Sequence, residues 1–307
     1  MINTSGRPVV VAVPDLVSPS YFPAIAAVEL GFAREEGIHA RLDLMYPPSD
    51  AAEALRDGKI DLLAGPAHSA LHAFPGWRGA KLVMALSRNT YWFLVMRTDL
   101  GIARGDLAAL HNVRIGAALG PDLAFRAMLA EADVDTETEN IEVVAVPGTD
   151  GPGTSFGVVA AKALADGKID GFWANGMGTA VAVREGVGTI VVDARRDGRP
   201  TGLAGYTFPG VAVTEESIKR QPENLAAMTR AIRRTQQRLR EDPEQATVVG
   251  NRLFPELEAT MIAELIRRDA PFYEPEIDRA TERSLIAFAR RAGILDSEDC
   301  QVVAPGF

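Results

Sequence analysis

The sequence is poor in the residues that build metal and redox centres. It has one cysteine, Cys300, and four histidines in 307 residues. A single thiol excludes an intrachain disulfide, an Fe–S cluster and a Cys-based zinc site, and it leaves the redox compartment open. No apolar run approaches the ~20 residues that span a bilayer. Positive charge is in deficit too: 32 basic against 41 acidic side chains, net −9. Nucleic-acid proteins carry a basic face, so that partner class is set aside. An anionic small ligand is not, because a few placed donors outweigh a diffuse field. H-E-x-x-H, the P-loop and a strand-following G-x-G-x-x-G are missing as well. No cofactor and no metal are expected.

What is present is a string that occurs twice. Ala54 to Asp61 reads ALRDGKID and Ala163 to Asp170 reads ALADGKID. A helix end, a glycine able to take positive φ, a lysine, an apolar residue and an aspartate opening a strand would produce it. Each copy runs into an apolar stretch and then a loop of small residues, LLAGPAHSAL and GFWANGMGTAV. Two copies about a hundred residues apart predict two α/β lobes of similar plan, which the length also favours. Open α/β sheets bind ligands at the carboxyl ends of their strands.

In chain order, Pro8 to Val13 reads as the first strand. Its short run stopped by Pro14-Asp15, with no A-x-A site, argues against a signal peptide. The chain is expected in the periplasm or at the cell surface if a signal peptide has been removed, and in the cytoplasm otherwise. A helix follows from about Ser20 to Glu36, then strands at His39–Met45, Asp61–Ala64 and Lys81–Leu86. Tyr91 to Arg97 is taken as the first crossing between lobes and Tyr206 to Thr214 as the return. Strands at Ile141–Val146, Ile169–Trp173 and Thr189–Asp193 belong to the second lobe. From Glu216 only helices follow, at Glu216–Gln221, Pro222–Glu241, Pro243–Leu253, Glu256–Arg268 and Glu274–Ala292. The Arg-rich run AIRRTQQRLRE in the second of these reads as a solvated face. Expected limits are 1–95 for the first part of lobe one, 96–207 for lobe two, and 208–307 for the return and the helices completing lobe one.

The early helix ending ELGFAREEGI, the string ALRDGKIDLLAGPAHSAL, a crossover ending MRTDL and GDLAALHNVRIGAA together resemble a known family. It comprises the substrate-binding proteins of ABC importers of the nitrate/sulfonate/taurine and thiamine-pyrimidine type. The resemblance runs from about Val9 to Ala231. It implies a type II periplasmic-binding fold: two Rossmann-like α/β lobes joined by a two-strand hinge, with a C-terminal helical tail. It also implies capture of a small organic ligand (sulfonate, carboxylate or planar heterocycle) in an interlobe cleft for import. An ABC permease is then a candidate partner, and the chain would act as a monomer. Where many members carry Trp-Glu-Pro, this chain has Trp173-Ala174-Asn175-Gly176, which leaves the ligand class open. The alternative is a cytoplasmic enzyme on the same fold, a decarboxylase, desulfinase or pyrimidine-synthase-like protein; a cytosolic ligand sensor is a third reading.

Candidate ligand-binding residues are those on loops that leave strands or open helices. In lobe one these are Ser18, Ser20, Tyr21, Ser49, the exit loop Gly65, Pro66, Ala67 and His68, and Ser87, Arg88 and Asn89. In lobe two they are Gly120, Asp122, Thr154, Ser155, Phe156, Trp173 and Asn175. Ser20, Ser49 and Thr154 also stand where helix caps stand. His68 reads as a hydrogen-bonded structural residue or as a ligand or acid/base group. Arg88 reads as a bidentate anion holder or as a solvated side chain. Tyr21, Phe156 and Trp173 would supply flat walls, and GPGTSFG, ahead of a helix, a loop for an anion.

Overall fold

In the computed structural model, the description covers residues 7–149, 155–198, 200 and 202–306. Among the described residues there are ten strands: β1 (Val9–Val13), β2 (Ala40–Leu44), β3 (Leu62–Pro66), β4 (Ala80–Ala85), β5 (Phe93–Arg97), β6 (Val113–Ala117), β7 (Ile141–Val144), β8 (Gly171–Ala174), β9 (Gly188–Asp193) and β10 (Pro209–Thr214). The helices are α1 (Phe22–Glu29), α2 (Phe32–Glu35), α3 (Pro48–Arg56), α4 (Asp122–Glu131), α5 (Phe156–Ala165), α6 (Gly176–Arg184), α7 (Glu215–Arg220), α8 (Pro222–Glu241), α9 (Gln245–Leu253), α10 (Glu256–Asp269) and α11 (Arg279–Arg291).

The strands form two five-stranded sheets of one plan. The first has the order β2-β1-β3-β10-β4 and the second β7-β6-β8-β5-β9. In each, the fourth strand in the row runs antiparallel to both neighbours. The other four therefore exit at one edge. Residues up to Arg88 and from Thr207 onward make one compact unit, and Asn89–Tyr206 makes a second. This is the fold of periplasmic binding proteins, α/β and two-lobed.

The duplicated string does the same work in both units. Gly58 and Gly167 take φ of +69° and +68°. Lys59 N–H donates to Ala54 O and Gly58 N–H to Leu55 O, while Lys168 donates to Ala163 O and Gly167 to Leu164 O. Both sets are the paired bonds of a Schellman helix end, which a glycine at that position permits. The aspartate then ties the incoming strand to the middle of the sheet. Asp61 Oδ2 accepts from Val10 N–H at 2.8 Å, and Asp170 Oδ2 from Arg114 N–H at 2.9 Å.

The strands expected to carry the crossings lie inside the sheets, and the unit boundaries fall just ahead of them. Phe93 to Met96 are apolar at successive positions and all buried. A run without alternation needs cover on both faces, so an interior place follows. Pro209 is tolerated because it opens β10.

Three further expectations are corrected. The first helix is two, broken at Gly31, whose φ is +87°. Gly65 and Pro66 belong to β3, paired with Gly210 and Pro209, rather than to its exit loop. The last helix starts at Arg279 instead of Glu274, because the preceding segment lies along β4, where Ala85 N–H donates to Pro275 O. The C-terminal segment covers β4 too: Leu82 N–H donates to Val302 O and Ala304 N–H to Leu82 O. Helix α8 follows its expected limits. It buries Leu225, Met228, Ile232 and Leu239 on one face and leaves its arginines outside.

Candidate functional site

In the first unit the candidate residues gather on the carboxyl-end loops of β1 to β4. Ser18 and Ser20 follow β1, and both are fully buried. Helix α1 starts at Phe22, after Tyr21 and with Pro23 in its first turn, so Ser20 does not cap it. Neither hydroxyl has a hydrogen-bond partner among the described residues, nor does that of Ser69, which follows β3. A buried donor left unsatisfied costs roughly 1–3 kcal/mol. All three stand on the exits of two adjacent parallel strands, β1 and β3. The β1 loop is held by Tyr273, whose hydroxyl donates to Pro19 O at 2.6 Å, and by Asp15, whose Oδ1 accepts from Val17 N–H. Tyr21 is buried and accepts from Ala24 N–H through its carbonyl.

Ala67 and His68 open a short 3-10 turn after β3. His68 is buried; its Nδ1 lies 3.0 Å from Thr207 Oγ1, and its ring meets Phe288 edge-on at 5.4 Å. Ser87, after β4, is fully buried as well. Arg88 pairs with Glu274 while its side chain stays about half exposed. Ser49 lies inside the first turn of α3, which starts at Pro48, and does not cap it. Asn89 takes φ +67° at the start of the second unit.

In the second unit Trp173 on β8 is fully buried, flanked by Trp92 at 6.1 Å and Phe125 at 5.7 Å between ring centroids. Its Nε1–H has no partner among the described residues. Asn175 caps α6, its Oδ1 accepting from Met177 N–H at 3.0 Å. Gly120 N–H already donates to Asp122 Oδ1 at 2.9 Å, and Asp122 pairs with Arg126. Ser155 precedes α5 and Phe156 opens it, buried. Thr154 lies outside the described residues. Gly153 to Gly157 fits the G-x-S-x-G spacing, yet Ser155 comes well after β7 ends at Val144. A nucleophile elbow needs the serine on the tight turn between strand and helix.

Helices α5 and α6 cross with almost no gap. A Cβ on Gly178 would stand 2.2 Å from Gly157 O, so that position requires glycine, whereas one on Gly157 would meet Asn175 Oδ1 at 3.1 Å, a tight contact. That contact sets Asn175 and Ser155 on adjacent helix starts.

Sequence reasoning overlooked Ser69, Trp92, Thr207, Tyr273 and Arg195, the last buried after β9. Only Arg195 carried a readable signal, a cation directly after a strand. The Tyr206 phenol is pushed up by burial and stays protonated. Among the described residues no group of three or more His, Cys, Asp or Glu could hold a metal ion, and no helix is long and apolar enough to cross a membrane.

Residues 18–246, from the β1 exit to the start of α9, match the NMT1/THI5-like family. The chain belongs to that family. No curated protein matches it. The family fold extends to solved structures of low identity. The alkanesulfonate-binding protein SsuA from Xanthomonas axonopodis pv. citri, bound to MOPS, is 11% identical at a TM-score of 0.70, covering 96% of each chain. The periplasmic nitrate-binding protein NrtA from Synechocystis PCC 6803 is 12% identical at 0.71, covering 95% of this chain and 82% of its own. DszB in complex with biphenyl-2-sulfinic acid is 18% identical at 0.64, covering 94% and 93%.

Proposed function

We propose that this NMT1/THI5-like protein is the solute-binding component of an ABC importer. Its ligand is a small organic molecule with an oxygen-rich acceptor group and a flat or apolar body. The carrying observation is the set of buried, unpartnered donors on strand exits: the hydroxyls of Ser18, Ser20 and Ser69 in one unit, and the Trp173 indole N–H in the other. Hydroxyls and an indole N–H donate to sulfonate, carboxylate or heterocycle acceptors, and Trp173, Trp92 and Phe125 offer aromatic surface. Each unit by itself offers carboxyl-end loops to such a ligand, and the bound state would be the signal read by a permease. On this reading the protein works outside the cytoplasmic membrane, as a monomer.

A binder fits these residues better than an enzyme. His68 Nδ1 is committed to Thr207. The one cysteine, Cys300, sits in the C-terminal segment, and burial pushes its thiol up, away from the thiolate a nucleophile needs.

The test is a thermal-shift screen of alkanesulfonates, aromatic carboxylates and pyrimidines. A ligand at a hundred times its Kd stabilises the folded state by about 2.7 kcal/mol. Ser18→Ala and Trp173→Phe should each weaken the hit by about tenfold, the loss of one good hydrogen bond. Absence of a saturable shift in all three classes overturns the proposal. Turnover of the bound compound, abolished by His68→Ala while binding survives, would make the protein an enzyme instead.

A further inference from the structure

The first unit holds a recess of about 410 Å³, lined by the end of α1, the Gly31 break, Arg34, His39 and Arg252. None of the residues discussed above as ligand-binding lines it. Its charge runs against the rest of this acidic chain. Most arginines have an acidic partner, and the acids beside Arg34 are already taken: Glu35 pairs with Arg234, and Glu36 with Arg230 and Arg234. Arg34 itself makes no ion pair among the described residues. Arg252 also has no acidic partner among the described residues; its Nη1 donates to Glu29 O at 2.8 Å. That bond fixes the guanidinium against the last turn of α1, satisfies one orphan carbonyl there, and leaves most of its five donors unspent. His39 adds an imidazole from the start of the edge strand β2.

Two guanidinium forks and an imidazole around one recess constitute an oxyanion site. The single acid in the lining, Glu29, decides which oxyanion. A carboxylate repels a fully deprotonated anion and accepts a hydrogen bond from a protonated one. Phosphate near neutral pH keeps a proton; sulfate does not. We infer that the recess is a second ligand site, selective for inorganic phosphate, which keeps a proton near neutral pH where a phosphate monoester, with its second pKa near 6, largely does not. The volume admits a phosphate ion with several waters, since a water molecule occupies about 30 Å³ in the liquid.

Calorimetric titration at low ionic strength tests this, with inorganic phosphate, glycerol 3-phosphate and sulfate as probes. One saturable phosphate site per chain is expected, with sulfate weaker. Arg34→Gln, an exposed substitution that leaves Tm unchanged, should weaken phosphate by about tenfold, the value of one charge-assisted hydrogen bond. Glu29→Gln should erase the preference over sulfate. Glycerol 3-phosphate, largely unprotonated at neutral pH, should bind more weakly than inorganic phosphate; equal binding of the two overturns the selection assigned to Glu29. Phosphate binding that is unsaturable, or unchanged by Arg34→Gln, overturns the inference.

Discussion

Asp61 and Asp170 show how one residue can be repeated for a structural reason. Each stands just ahead of the third strand in its sheet's order, and each carboxylate accepts a backbone N–H from the second, β1 or β6. Arginines gather on both, Arg7 on Asp61 and Arg97 with Arg114 on Asp170. Replacing either by alanine strands a ladder N–H, and should lower the unfolding free energy by about 1–3 kcal/mol in urea titrations. Equal stability of Asp170→Ala and wild type would remove that account of the duplication. Gly178 is the sharper case. Its missing side chain lets α6 lie against Gly157. Gly178→Ala forces two backbones apart and should destabilise by about 1–3 kcal/mol, the usual cost of overpacking. Alanine at Gly186, where open space surrounds the Cβ position but φ is +73°, should cost only the strain of the left-handed backbone.

Helix α8 couples the C-terminal helices to the first lobe through charge. The carboxyl of Glu36 is held below its ordinary 4.5, chiefly by the hydrogen bond from Arg230, opposed by desolvation and reinforced by Arg234. A carboxyl depressed in the folded state contributes stability that is complete above the unfolded value and is lost as pH falls through the folded one. Glu36→Gln should therefore lower Tm near neutral pH, by an amount that vanishes well below 4.5. A gap that persists in acid would show that packing, not charge, is responsible. The limits of α8 were legible in the sequence because Pro222 opens it and its apolar positions recur on one face. The break at Gly31 was not, since ELGFAREEGI keeps helical periodicity across it. The delayed start of α11 was equally hidden, because a segment recruited to cover β4 leaves no local pattern. Ser18, Ser20, His68 and Trp173 stand out in the sequence as candidates because each lies at or after the carboxyl end of a strand. Thr207 and Tyr273 could not, since their roles depend on chain partners far away in sequence.

At the scale of the whole molecule, the two units differ in how the chain supplies them. The second is one continuous stretch, Asn89–Tyr206, whereas the first is assembled from two. Its sheet keeps an interior place for β10, between β3 and β4, and that strand lies more than a hundred residues beyond β4. Loop closure over such a distance is slow compared with local pairing. Pulsed hydrogen exchange during refolding should protect the amides of β6 and β8 before those of β3 and β4. Simultaneous protection would mean that the lobes fold as one cooperative body.

The inserted strand β10 has a further consequence for biosynthesis. A ribosome releases the opening lobe with a slot in its sheet, and the plug emerges only after the other lobe has been made. Until then the facing rims of β3 and β4 are adhesive, so the nascent protein needs shielding in the interval, and a stop codon before residue 209 leaves a sticky fragment instead of a smaller binder.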